Sequence, residues 1–221
     1  LQNDRPALRV AVASSIRTVL ILTVPAMAVM ASCSDYLMAL MGPEWEPAAD
    51  VLKLLALVGI GKAIVFFTGP LLFAVARPHL RAVMLWALAA VSAGTVLLVG
   101  WLLTGDSARE QALGMAASRA AFFLAIVIPV NIAVVCWITG LRPRSFLPWL
   151  PSPLLSAAAG IAVVFLLGLT GLLDELPAFA ALVLAGTASC LAAGGVLFAL
   201  EPRARSLARP VLRKLRRPAT A

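Results

Sequence analysis

Six stretches of this sequence hold close to twenty apolar residues each, and that feature limits the fold more than any motif does. A helix needs about 20 apolar residues to cross the hydrocarbon core of a bilayer. The runs lie at about 10–33, 54–76, 82–103, 112–140, 154–173 and 176–200. In the first, Val10 to Ile16 form an amphipathic entry to the apolar stretch from Thr18 to Cys33. The fourth has its core from Ala120 to Gly140 and an alternative start at Ala108. Charged turn formers separate the runs, as in "GPEWEP", "ARPHLR", "TGDSARE", "LRPRSFLPWLPSP" and "DELP". The runs are apolar on every side, whereas a membrane barrel alternates apolar and polar residues, so strands are excluded. Apolar residues make up 62% of the chain and charged residues 13%, against about 45–50% and about 25% in ordinary soluble domains. The expectation is an all-α, polytopic transmembrane helix bundle of six spans, followed by a basic tail at 201–221.

Orientation follows from the distribution of Lys and Arg in the short loops. With the N-terminus in the cytoplasm, fourteen of the 18 basic residues fall on the inner side, seven of them in the tail. The outer loops keep Arg109, the edge residue Lys53 and eight of the 10 acids. The pattern predicts six spans with both termini cytoplasmic. The tail reads as an orientation signal, with binding to acidic lipid head groups as the alternative. The opening "LQNDRPALRV" has no initiator Met and no signal-peptide pattern, and reads as a chain entered midway.

Several function classes are excluded on residue grounds. The net charge of +8 belongs to topology, since no basic run is interleaved with aromatics as nucleic-acid binding requires. Cys33, Cys136 and Cys190 are far apart and His79 is the one histidine, so metal-ligand spacing is missing and the cysteines read as small packing residues. The spans hold no carboxylate pair, and no serine has a partner base. The expectation is a non-enzyme with no cofactor and no metal.

Two basic residues do not belong in lipid. Lys62 lies near the bilayer middle, about 22 Å along a helix from Arg77, and no Asp or Glu stands within any span to neutralise it. A charge there costs at least about 2.5–3.5 kcal/mol. It therefore faces a wet cavity, a partner helix or a bound anion, or it is packed as a neutral lysine. Gly59, Gly61 and the "TGP" of Thr68 to Pro70 would allow a bent or broken helix around a substrate path. Arg119 is embedded by about 16 Å if its helix begins at Ala108, and interfacial if the span begins at Ala120. Pro129 and Asn131 add a kink and a hydrogen-bonding group to that span.

The first half of the chain also resembles a known family. The features are Leu1-Gln2 with Asp4, Pro25 within "VPAMAVMA", Gly42 with Trp45 and Ala48, Leu72 with Ala74, and Arg77-Pro78. Their order and spacing are similar to polysaccharide biosynthesis proteins of the flippase type, Wzx-like members of the multidrug/oligosaccharidyl-lipid/polysaccharide exporter superfamily. The resemblance covers about Leu1 to Leu103 in residues and the remainder in hydropathy. It implies the distal part of a two-bundle transporter, partnered by an N-terminal helix bundle of the same protein. It further implies movement of an undecaprenyl-diphosphate-linked oligosaccharide across the bacterial inner membrane, with glycan polymerase or glycosyltransferases as neighbours. Lys62 and Arg119 are then candidate substrate-binding cations for the diphosphate. The alternatives are a multidrug or solute exporter of the same superfamily and a non-transporting membrane scaffold of a glycan-assembly complex.

Overall fold

The computed structural model describes residues 5–173 and 175–202. Leu1, Gln2 and Asp4 of the resemblance, Asp174 of the last break and the tail from 203 onward lie outside the described residues. The helices are α1 (Arg5–Ser32), α2 (Ser34–Met41), α3 (Ala48–Ala74), α4 (Pro78–Leu102), α5 (Ala108–Phe122), α6 (Ile128–Thr139), α7 (Pro151–Leu169) and α8 (Ala178–Leu200). A π turn at Phe123–Val127 joins α5 to α6, and short 3₁₀ turns occupy Pro43–Trp45 and Pro143–Trp149. Six helical segments are long and apolar enough to cross a membrane, with α5 and α6 together forming one of 32 residues. No strand occurs among the described residues.

Helices outrun the apolar stretches where the polar residues beyond them supply caps or ion pairs. The fourth span begins at Ala108 because Ser107 caps it. The Ser107 hydroxyl accepts from the Glu110 N–H at 3.4 Å, and the Glu110 carboxylate accepts from the Ser107 N–H at 3.0 Å. The second begins at Ala48, with Asp50 and Lys53 in its first two turns. The short α2 has no counterpart among the apolar runs, since it lies between the first run and the break at "GPEWEP". Gly42 ends α2 at φ +121° and Gly140 ends α6 at φ +68°, conformations that suit a residue without Cβ. At the α3–α4 turn a non-glycine, Ala76, takes φ +55°, and the Arg77 N–H closes the turn onto the Leu72 carbonyl at 2.9 Å.

Polar contacts fix which helix ends lie together. Lys53 Nζ pairs with Asp35 at 2.9 Å and Asp50 at 3.2 Å, and Arg109 reaches Asp50 at 3.2 Å. That clasp gathers α2 and the starts of α3 and α5. At the opposite end Arg9 Nε donates to the Thr139 carbonyl at the close of α6. The spans therefore run up and down in sequence. Helix α1 is central, burying Ile16, Leu20, Val24 and Ala28 against Leu71 of α3, Val135 of α6 and Ala157 of α7. Helix α4 is peripheral and buries no residue.

The tightest seam joins α7 to α8. Ala181, Ala185, Ser189 and Ala193 recur every fourth residue and are all buried, so one face of α8 is a strip of small side chains. Opposite them Gly160 lets the backbones approach. Ser189 Oγ donates to the Gly160 carbonyl at 3.0 Å and Ser156 Oγ to the Ala193 carbonyl at 2.6 Å. In lipid, where burying apolar surface gives no drive between helices, small residues and interhelical hydrogen bonds of this kind hold neighbours together.

Candidate functional site

Lys62 stands at the middle of α3, about 21 Å from Ala48 and about 18 Å from Ala74 along the axis. Its neighbours in sequence decide where it points. A Cβ at Gly59 would sit 2.5 Å from Met27 Sδ of α1, and one at Gly61 would sit 3.0 Å from Ile128 Cδ1 and 3.4 Å from Phe123 Cδ1. Only glycine fits at those two positions without displacing a neighbour, so α3 seats closely between α1 and the α5–α6 span. That seating turns Lys62 outward, onto the face that also carries Phe66 and Phe73, 75% and 63% exposed. Among the described residues nothing hydrogen-bonds to Lys62 or pairs with it. The glycines thus serve close packing, and α3 is one unbroken helix through Gly59, Gly61 and Pro70, not the broken helix their composition suggested.

Arg119 is held within the bundle. It is half-buried and lies about 16 Å along the helix that begins at Ala108, so of the two starts the earlier one is adopted. Its Nη1 donates to Ser92 Oγ of α4, and its guanidinium carbon lies 5.2 Å from the centre of the Phe123 ring. A hydroxyl and an aromatic face can hold a guanidinium without cancelling its charge. Phe123 therefore lies beside both Arg119 and Gly61, the residue before Lys62.

The π turn begins at that same phenylalanine. Pro129 has no N–H and its ring would press on the carbonyl four residues back, and the span accommodates this by widening over Phe123–Val127. Asn131, fully buried, donates from Nδ2 to the Val127 carbonyl at 2.7 Å, while its Oδ1 is buried with no hydrogen-bond partner among the described residues. The kink and the polar group expected of Pro129 and Asn131 are therefore one local device.

A third charged group sits inside the helices and was not visible as a site in the sequence. Arg17 Nη2 pairs with Glu201 Oε1 at 2.7 Å, and Ser152 Oγ donates to Glu201 Oε2 at 3.0 Å. The Glu201 side chain is 3% exposed and the Arg17 side chain 30%. The available signal was the sign of Glu201, an acid placed directly after an apolar run that arginines otherwise follow. At the α3–α4 turn, Arg81 lies along Gly69 with its Nη1 buried and unpartnered among the described residues, and Arg77 covers the Trp137 ring at 4.9 Å.

Chemically, these groups can attract, hold or pass an anion. Among the described residues no hydrogen bond or ion pair joins Lys62 or Arg119 to a carboxylate, thiol or imidazole. Among the described residues no group of three His, Cys, Asp or Glu could hold a metal. No protein-family model, no curated protein and no solved structure matches the chain.

Proposed function

We propose that this bundle is one half of a membrane exporter that moves an anionic, lipid-linked glycan across a bacterial inner membrane, with Lys62 facing the path. The observation that carries the reading is the outward lysine at mid-helix, unpaired among the described residues, on a face that no described helix covers. An ammonium in that position is costly against lipid. It is stabilised if the face lines an aqueous path through which a diphosphate passes, since a cation there lowers the barrier to a passing anion. The sequence resemblance to the Wzx-like flippases supplies the substrate class, an undecaprenyl-diphosphate oligosaccharide. Both termini then lie in the cytoplasm, and the missing wall of the path is the N-terminal bundle of the same protein.

The lysine face also supports a second reading, a scaffold in which Phe66 and Phe73 seat a partner helix carrying an acid. A multidrug exporter of cations is less well supported, because the one carboxylate buried in the described bundle, Glu201, is held by Arg17 at an end of the spans. The test uses the full-length gene in cells that depend on it for glycan export. Lys62→Ala and Lys62→Glu are expected to reduce export at normal membrane abundance, with Lys62→Arg milder. Normal export by Lys62→Leu overturns the path reading. If Lys62→Leu exports normally yet loses co-purification with the partner, the scaffold reading holds.

A further inference from the structure

We infer that the clasp end of the bundle holds a phospholipid whose head group carries both a phosphate and a primary ammonium. The site is a cleft of about 480 Å³ between α1, α2 and α7, with Lys53 at its mouth. Its inner wall is apolar. Ile161, Phe165 and Leu169 follow one another at every fourth position of α7, a stripe about 12 Å long. Between them Gly168 leaves a trough: a Cβ there would meet nothing within 4 Å. A single acyl chain is the occupant that such a stripe, open towards the bilayer, would take.

The mouth chooses the head group. Lys53 and Asp35, 2.9 Å apart, both line the cleft, and their side chains are 40% and 59% exposed. Asp50 and Arg109 complete the clasp, so two cations stand against two carboxylates. An anionic head group would meet a carboxylate for each cation it approached. A zwitterion fits better, its phosphate on Lys53 and its ammonium on Asp35, exchanging one exposed ion pair for two. An exposed pair is worth little by itself, so opening it is cheap. The ammonium must be primary, because a quaternary nitrogen has no N–H to donate to Asp35. Tyr36, which also lines the cleft, has the amphipathic ring favoured at the membrane–water boundary. The inference is independent of the transport reading: it concerns α7 and the clasp, and Lys62 takes no part.

The purified full chain in detergent is titrated with phosphatidylethanolamine, phosphatidylcholine and phosphatidylglycerol of matched acyl chains, and bound lipid is counted by native mass spectrometry. The ethanolamine lipid is expected to be retained roughly two- to fivefold over the other two, the worth of one exposed charge pair. Gly168→Phe, which fills the trough from open space, should abolish that preferential adduct. Asp35→Asn should keep a lipid bound but erase the discrimination between ethanolamine and choline. Equal retention of the three lipids, preference for the glycerol lipid, or an unchanged adduct in Gly168→Phe overturns the assignment. Any of these leaves a surface wetted by bulk lipid only.

Discussion

Replacing Gly160 by alanine sets two opposing effects against each other, and the geometry of the α7–α8 seam decides the sign. In a helix interior alanine is favoured over glycine by about 0.8–1.0 kcal/mol. Against that, the new Cβ would lie 2.9 Å from Ser189 Oγ and 3.3 Å from both Ala193 Cβ and the Ser189 carbonyl. Ser189 is fully buried, and its hydroxyl already donates to the Gly160 carbonyl, so it cannot swing away without giving up that bond. Overpacking of this kind costs about 1–3 kcal/mol, and an interhelical hydrogen bond in a membrane protein averages about 0.6. The net expectation is a loss of about 1–2 kcal/mol, or a melting point lower by about 3–6 °C for a chain of this size. Circular dichroism of the detergent-solubilised chain reads it directly. Gly194→Ala on α8 is the internal control, because a Cβ there meets nothing within 4 Å, and it should leave stability equal or raised. Adding Ser189→Ala to Gly160→Ala should recover part of the loss. If Gly160→Ala melts at or above the parent, close backbone approach is not what holds α7 to α8.

Two further substitutions test the charged and strained positions. Arg17→Met is expected to cost about 3 kcal/mol, the low end for orphaning a buried charge because the Arg17 side chain is 30% exposed; Glu201→Gln added to it should restore most of that loss in the same melts, and additive losses would refute the pairing. Ala76→Gly should stabilise by about 1 kcal/mol, since a left-handed residue with a Cβ carries about that much strain; a less stable variant would mean the turn draws on the alanine methyl for packing.

The six spans were legible because hydrophobicity over twenty residues is a strong, local signal. The mid-helix place of Lys62 was legible for the same reason, being a matter of counting along one helix. What stayed hidden depends on neighbours distant in sequence. Gly59 and Gly61 read as places for α3 to bend or break, and only the approach of Met27 and Ile128 shows that they let it pack closely. The position of Arg119 turned on where its helix starts, a choice made by the hydrogen bonds between Ser107 and Glu110 beyond the apolar core. Helix α2 is eight residues long, too short for a hydropathy run to register. The Arg17–Glu201 pair spans 184 positions, and no local pattern couples two residues so far apart.

That separation has a consequence for biosynthesis. Arg17 enters the bilayer with the first helix, long before the ribosome has reached Glu201. For the whole interval the nascent chain carries that cation on the inner part of α1 with its carboxylate still unmade, and a long side chain there can reach toward water. The Arg17 guanidinium therefore meets its carboxylate only when the end of α8 arrives beside α1. The ion pair thus exists only once synthesis has passed residue 201, a chemical difference between a bundle that holds both residues and one broken off earlier.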